Sequence, residues 1–159
     1  MNPTQSLYEK DYHLWLHQTA QQLREGNFHE LDLLNLIEEI EDMGKTQKKA
    51  LRSNLRVLLR HLLKYLYQPE KRTNSWLLTI REHRKRLLEE FEDSPSLKPY
   101  YEQVYEKCYA DAREEASDET GLTIDTFPSE SPFTTEQAID LNYLPNQKKY
   151  SSLNSVRTK

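Results

Sequence analysis

Residues 46–69, TQKKALRSNLRVLLRHLLKYLYQP, decide the fold. Leu51, Leu55, Val57, Leu58, Leu59, Leu62, Leu63, Tyr65 and Leu66 cover roughly two thirds of a helix circumference at about 100° per residue. An amphipathic helix needs only one apolar stripe, so this one is expected at the centre, with other helices packed around it. Pro69 ends it, since proline has no N–H for the next turn.

The flanking segments carry the same period. A first helix is expected from about Ser6 to Glu25, with Tyr8, Tyr12, Trp15, Leu16, Thr19 and Leu23 on its inner face. A second runs from about His29 to Met43, with Leu33, Leu36, Ile37 and Ile40 inward. A fourth spans about Ser75 to Glu92, a fifth about Ser96 to Thr120, and a short sixth Thr135 to Asp140. Gly26, Gly44 and Gly121 each follow a periodic segment, where glycine can adopt the left-handed cap conformation. Gly44 is therefore expected to turn the second helix back on the third as a hairpin. No segment alternates convincingly enough for a strand. The fold class is all-α: a bundle of about five helices around a buried one, plus an irregular C-terminal segment.

The chain has 159 residues, enough for a single domain over 1–145 with one core. It is 36% hydrophobic and 30% charged, with no run long enough to span a membrane. The first residues lack an export signal's basic and apolar regions. Cys108 is the only cysteine, which excludes an internal disulfide and suits a reducing cytoplasm. The net charge is −4, yet residues 146–159 carry Lys148, Lys149, Arg157 and Lys159 with no acid. That tail is +4, has few apolar anchors and is expected to be disordered. The acidic remainder disfavours broad nucleic-acid binding, and no membrane partner is expected. A homo-oligomer or a protein partner is compatible with the sequence.

Charges on apolar faces are the sharpest functional signal. Arg84 lies in the stripe of Trp76, Ile80, Leu87 and Phe91. Guanidinium does not lose its charge, so a buried Arg84 calls for a carboxylate. Glu41 is the natural candidate, with Glu115 and Glu119 competing. Glu38, Glu41, Arg84, Glu115 and Glu119 thus form a candidate polar cluster. Lys48, Arg52, Arg56, Arg60 and Lys64 are spaced by four and form one slanted basic row. Salt bridges to Glu38, Glu39, Glu41 and Asp42 are the plain reading of that row. The sharper reading is an anion-binding groove of Arg56, Arg60, Lys64, Lys71, Arg72 and Arg81.

Glu38 with Glu41, and Asp111, Glu115 and Glu119 on one face, are carboxylate pairings of the kind that can hold Mg²⁺. The pattern is weak in a chain with 26 acids. His13, His17, His29, His61 and His83 lack zinc spacing, and His61 reads as a hydrogen-bonded boundary residue. No serine or cysteine has a nucleophile's setting, and Cys108 reads as an inert core thiol. No cofactor, metal or catalytic residue is assigned.

The blocks LYEKDYHLWLHQTAQQLR, LLNLIEEIEDMG, LLRHLLKYLYQPEKRTNSWLLTIREHR, SPSLKPYYEQVYEKCYADAREEASDETGL and FPSESPFTTEQAIDLNYLP occur in that order. Together they resemble domain-of-unknown-function family 29 over about residues 7 to 145. The resemblance implies an all-helical bacterial protein, mainly cyanobacterial, in the cytoplasm. It implies no activity and no catalytic residues. Three functions follow in order: a non-enzymatic interaction or scaffold module, a metal- or phosphate-dependent hydrolase acting on nucleotides or nucleic acid, and a nucleic-acid-binding module.

Overall fold

The structure is a computed structural model and describes residues 5–145; the basic tail at 146–159 lies outside them. Six α-helices follow in order: α1 (Leu7–Lys10), α2 (Tyr12–Glu25), α3 (Leu33–Tyr67), α4 (Asn74–Asp93), α5 (Leu97–Thr120) and α6 (Thr135–Ile139). Short 3-10 turns lie at Phe28–Glu30, Pro69–Lys71 and Ile124–Thr126. Among the described residues there is no strand. The chain divides into two compact units, residues 1–47 and 48–159.

The expected hairpin at Gly44 does not form. The second and third expected helices are one helix of 35 residues, α3. Only Gly26 and Gly121 have positive φ, each 73°. An interior glycine costs a helix about 1 kcal/mol, and nothing beside Gly44 demands a stop: Glu, Met, Lys and Gln around it all favour helix. Gly26 and Gly121 do end helices, and their N–H groups satisfy the final carbonyls of α2 and α5. The expected first helix is interrupted at Asp11, whose carboxylate accepts from Leu14 N–H and starts α2.

The first unit comprises α1, α2 and the start of α3. Tyr8, Tyr12 and Trp15 pack as an aromatic trio, with Tyr8 edge-on to Trp15 at a centroid distance of 4.8 Å. Both tyrosine hydroxyls donate to one carboxylate, Glu39, at 2.6 and 2.5 Å. Those hydrogen bonds hold the Glu39 carboxyl below its usual range and push the Tyr8 phenol up to about 12. In this unit only Trp15 and Thr19 are buried among the described residues. Leu33, Ile37 and Ile40, expected to face inward, are 50–59% exposed.

The second unit holds the core. Leu51, Leu55, Leu58, Leu59, Leu62 and Leu63 of α3 are fully buried with Ile80, Leu87, Tyr101, Tyr105, Tyr109, Ala112, Ala116 and Phe127. The chain after α5 is mostly irregular, so its carbonyls lack a regular backbone ladder. Side chains of α5 supply donors instead. The hydroxyls of Tyr101, Tyr105 and Tyr109 donate to the carbonyls of Thr135, Phe133 and Pro128, and Arg113 Nε donates to that of Phe127. The four donors are spaced by four along α5 and meet carbonyls in reverse chain order, so the segment returns antiparallel to the helix. Burial pushes the Tyr109 phenol up to about 12 and raises those of Tyr101 and Tyr105 further.

Arg84 completes this anchoring, and here a second expectation is corrected. The side chain is buried, as its position in the apolar stripe implied. Its three hydrogen bonds, however, go to carbonyls and not to a carboxylate: Nε to Ala138 at 2.7 Å, Nη1 to Tyr143 at 2.7 Å and Nη2 to Gln137 at 3.2 Å. Carbonyls left open at the end of α6 present the negative ends of peptide dipoles, and a guanidinium fork satisfies several at once. Thr134 and Gln137 close the other end of α6 as a capping box.

Replacing Arg84 with methionine strands the Ala138 and Tyr143 carbonyls, while that of Gln137 keeps the Asp140 N–H, and is expected to cost about 4 kcal/mol. Denaturant unfolding should show the loss. Hydrogen exchange should place it first in the amides of residues 134–143, and unchanged exchange there would refute the anchoring role.

Candidate functional site: the charged face between α3 and α5

The basic row of α3 meets the acidic row of α5 within the second unit. Arg60 Nη1 donates to Glu115 Oε2 at 3.0 Å, and Arg60 Nε lies 3.0 Å from Glu119 Oε2. Lys64 Nζ donates to Glu119 Oε1 at 2.8 Å and sits 4.5 Å from the centre of the Trp76 ring. Arg56 Nε is 3.8 Å from Glu115 Oε1, an ion pair too long to be a hydrogen bond. The rows therefore interlock, with Glu115 between Arg56 and Arg60 and Glu119 between Arg60 and Lys64.

Electrostatics follow from that interlock. Burial alone would raise the Glu119 carboxyl; the hydrogen bond and charge of Lys64, with Arg60 and His61, outweigh it and hold the carboxyl below its usual value. Burial holds the His61 imidazole down, helped by the Lys64 and Arg60 charges and opposed by its hydrogen bond to the Val57 carbonyl, 2.8 Å away, and by Glu119. Cys108 is buried and its thiol is raised by burial, so it is not poised as a nucleophile.

The hydrogen bonds of Arg84 go to none of the carboxylates of the expected polar cluster. Glu115 and Glu119 serve the α3 cations, while Glu38 and Glu41 stand exposed on the part of α3 in the first unit. The plain reading of the basic row named helix-two acids as its partners; the acids that pair with Arg56, Arg60 and Lys64 are Glu115 and Glu119 of α5. The six residues of the expected anion groove are likewise dispersed. Arg60 and Lys64 are engaged as described. Arg72 donates from Nε to the Tyr65 carbonyl at 2.8 Å and lies 4.0 Å above the Tyr65 ring. Lys71 and Arg81 are exposed. Among the described residues no three His, Cys, Asp or Glu side chains come together as metal donors.

One cleft on this face was not foreseen. It lies between α3 and α5 and has a volume of about 420 Å³. Arg52, Arg56, Tyr100, Val104, Lys107, Cys108 and Asp111 line it. Arg52 Nη1 donates to the Tyr100 hydroxyl, and Lys48 Nζ lies 4.8 Å from the centre of the same ring. Arg52 and Lys48 were visible in the sequence as members of the basic row. Lys107 and Tyr100 carried no separate signal, because their spacing from that row is set only by how two helices cross.

A protein-family model described as Domain of unknown function DUF29 matches residues 7–144. The chain belongs to this family. No curated protein and no solved structure matches it. The family's description names no activity.

The sign of the His61 effect gives a test. With its folded value below the unfolded one of about 6.5, the unfolded chain binds more protons between the two, and stability falls as pH drops through that window. Urea midpoints should decline from pH 7.5 to 5.5, and His61→Gln should flatten the decline. An equal decline in the variant would assign the effect to other groups.

Proposed function

We propose that this DUF29 chain is a non-enzymatic interaction module that pairs with a second copy of itself through α3. The observation that supports it most is the apolar face of the first unit. Leu33, Leu34, Ile37, Ile40 and Met43 on α3 are each half exposed or more, and Leu34 reaches 83%. Contiguous apolar surface of this kind marks interaction sites far more often than idle surface.

Charge selects the partner and its direction. Glu38, Glu39, Glu41 and Asp42 precede Gly44; Lys45, Lys48 and Lys49 follow it. Two such helices side by side and parallel would oppose like charges. Antiparallel and centred on Met43 and Gly44, they set each acidic stretch against the other copy's basic stretch, twice by symmetry. The centre is open on both counts: residues 41–49 are all exposed, and a Cβ added at Gly44 would meet nothing within 4 Å. In that register Met43 of each copy lies over Gly44 of the other, and Ile37 over Ala50. Exposed ion pairs add little affinity, so they fix direction while the apolar side chains supply the driving force.

The lone buried Cys108 fits such a module in a reducing bacterial cytoplasm. The hydrolase reading has less support, since Glu115 and Glu119 are neutralised by cations.

Light scattering should give a dimer mass at about 100 µM, and Ile37→Glu with Ile40→Glu should give a monomer of unchanged helicity. Gly44→Cys should form a disulfide-linked dimer on mild oxidation, whereas Leu34→Cys should not. A monomer mass for the unaltered chain would overturn the proposal.

A further inference from the structure

The cleft between α3 and α5 lies within the second unit and is lined by a different chemistry from the apolar face of α3. We infer that it binds a small phosphate monoester through Arg52, Arg56, Lys107 and the Tyr100 hydroxyl.

The lining contains three cations and one carboxylate, Asp111. Its surroundings do not predict that excess. Residues 48–145 hold 15 Lys and Arg against 17 Asp and Glu, a formal charge of −2. The positive charge is therefore gathered locally, and a concave wall focuses its field.

The donors are also less committed here than elsewhere on the face. Arg60 and Lys64 have carboxylates at 3.0 and 2.8 Å. Arg56 has only Glu115, at 3.8 Å; its Nε, like that of Arg60, is buried and donates to no acceptor. Arg52 has no carboxylate partner among the described residues; it donates to a phenol. A phenol oxygen that accepts from Arg52 still has its own O–H to give. Arg52 and Arg56 are one helical turn apart on the same face, so their guanidinium forks can address different oxygens of one tetrahedral group.

Charge and volume together choose the ligand. A monocarboxylate would leave the three cations undercompensated, whereas a phosphate monoester dianion balances the net excess of two. About 420 Å³ exceeds what a bare ion requires and falls in the range of small-molecule pockets. Val104 and the buried Cys108 give the alcohol portion an apolar wall, and Asp111 gives a hydroxyl of that portion an acceptor. Neither an activated nucleophile nor a poised base lines the cleft, so the inference is of binding and not of turnover.

Calorimetric titration of the full chain tests it, with inorganic phosphate and glycerol 3-phosphate as probes and sodium chloride at matched ionic strength as control. Both phosphates should bind, the monoester at least as tightly as the ion, and chloride should not compete at equal concentration. Lys107→Gln changes an exposed side chain and should leave the melting temperature in chloride unaltered, yet weaken phosphate binding about tenfold. Arg56→Gln should weaken it at least as much. The inference is overturned if heats match the chloride control, if the monoester fails to bind where phosphate does, or if both substitutions leave the affinity unchanged.

Discussion

The second unit rests on one constraint: an irregular chain segment must have its carbonyl oxygens satisfied away from water. A helix or sheet does this with its own N–H groups. Residues 127–143 have little regular structure, and buried donors from neighbouring helices do the work. Three phenols and two guanidiniums meet carbonyls of α6, of the stretch before it and of Tyr143 after it. Phenols and arginines suit the task because each combines a long apolar body with a donor at its tip. The same residues therefore fill the core and close the hydrogen-bond account, as Tyr101, Tyr105 and Arg84 do at 0–2% exposure.

This explains both what the sequence disclosed and what it concealed. Helical periodicity located α4, α5 and α6 to within a few residues and picked out the leucines of α3, but it ran α1 and α2 together as one helix. It also showed that Arg84 had to be buried. Its partner was a different matter. Ion-pair logic pointed to Glu41 because carboxylates are visible in a sequence as acceptors, whereas every residue carries a carbonyl and none advertises it. The tyrosines at 101, 105 and 109 and Arg113 have a readable four-residue spacing, but spacing alone does not say what their polar ends meet. Their hydroxyl and guanidinium ends become informative only when the following segment is seen to run back along them.

Gly44 failed as a stop signal for a related reason. A helix ends when several local terms agree: a left-handed residue, a proline, a polar cap or a tertiary turn. At Gly26 and Gly121 the chain takes the left-handed conformation. At Gly44 the residues on both sides continue to favour helix, and their sum exceeds the cost of one glycine. The continuous α3 in turn leaves Leu33, Ile37 and Ile40 exposed, without the hairpin that their periodicity suggested. The apolar pattern was legible; what it packs against was not. On the charged face, likewise, the two rows could be read from spacing, while their pairing with each other, and the cleft at the end of the interlock, depend on the crossing of α3 and α5.

The carbonyl anchoring has an implication for sequence variation. A carbonyl oxygen is the same whichever side chain its residue bears. Donors on α4 and α5 therefore hold residues such as Thr135 and Pro128 by their backbone and not by their identity. Substitutions along the returning segment should be tolerated wherever the side chain is neither buried nor itself a hydrogen-bond partner, as those of Ser131, Thr134 and Gln137 are, while Phe127, Phe133 and Ala138 remain restricted by packing. The burden of specificity rests on the helices: the same segment can be rewritten at many positions, but losing one donor removes support that no change within the segment can restore.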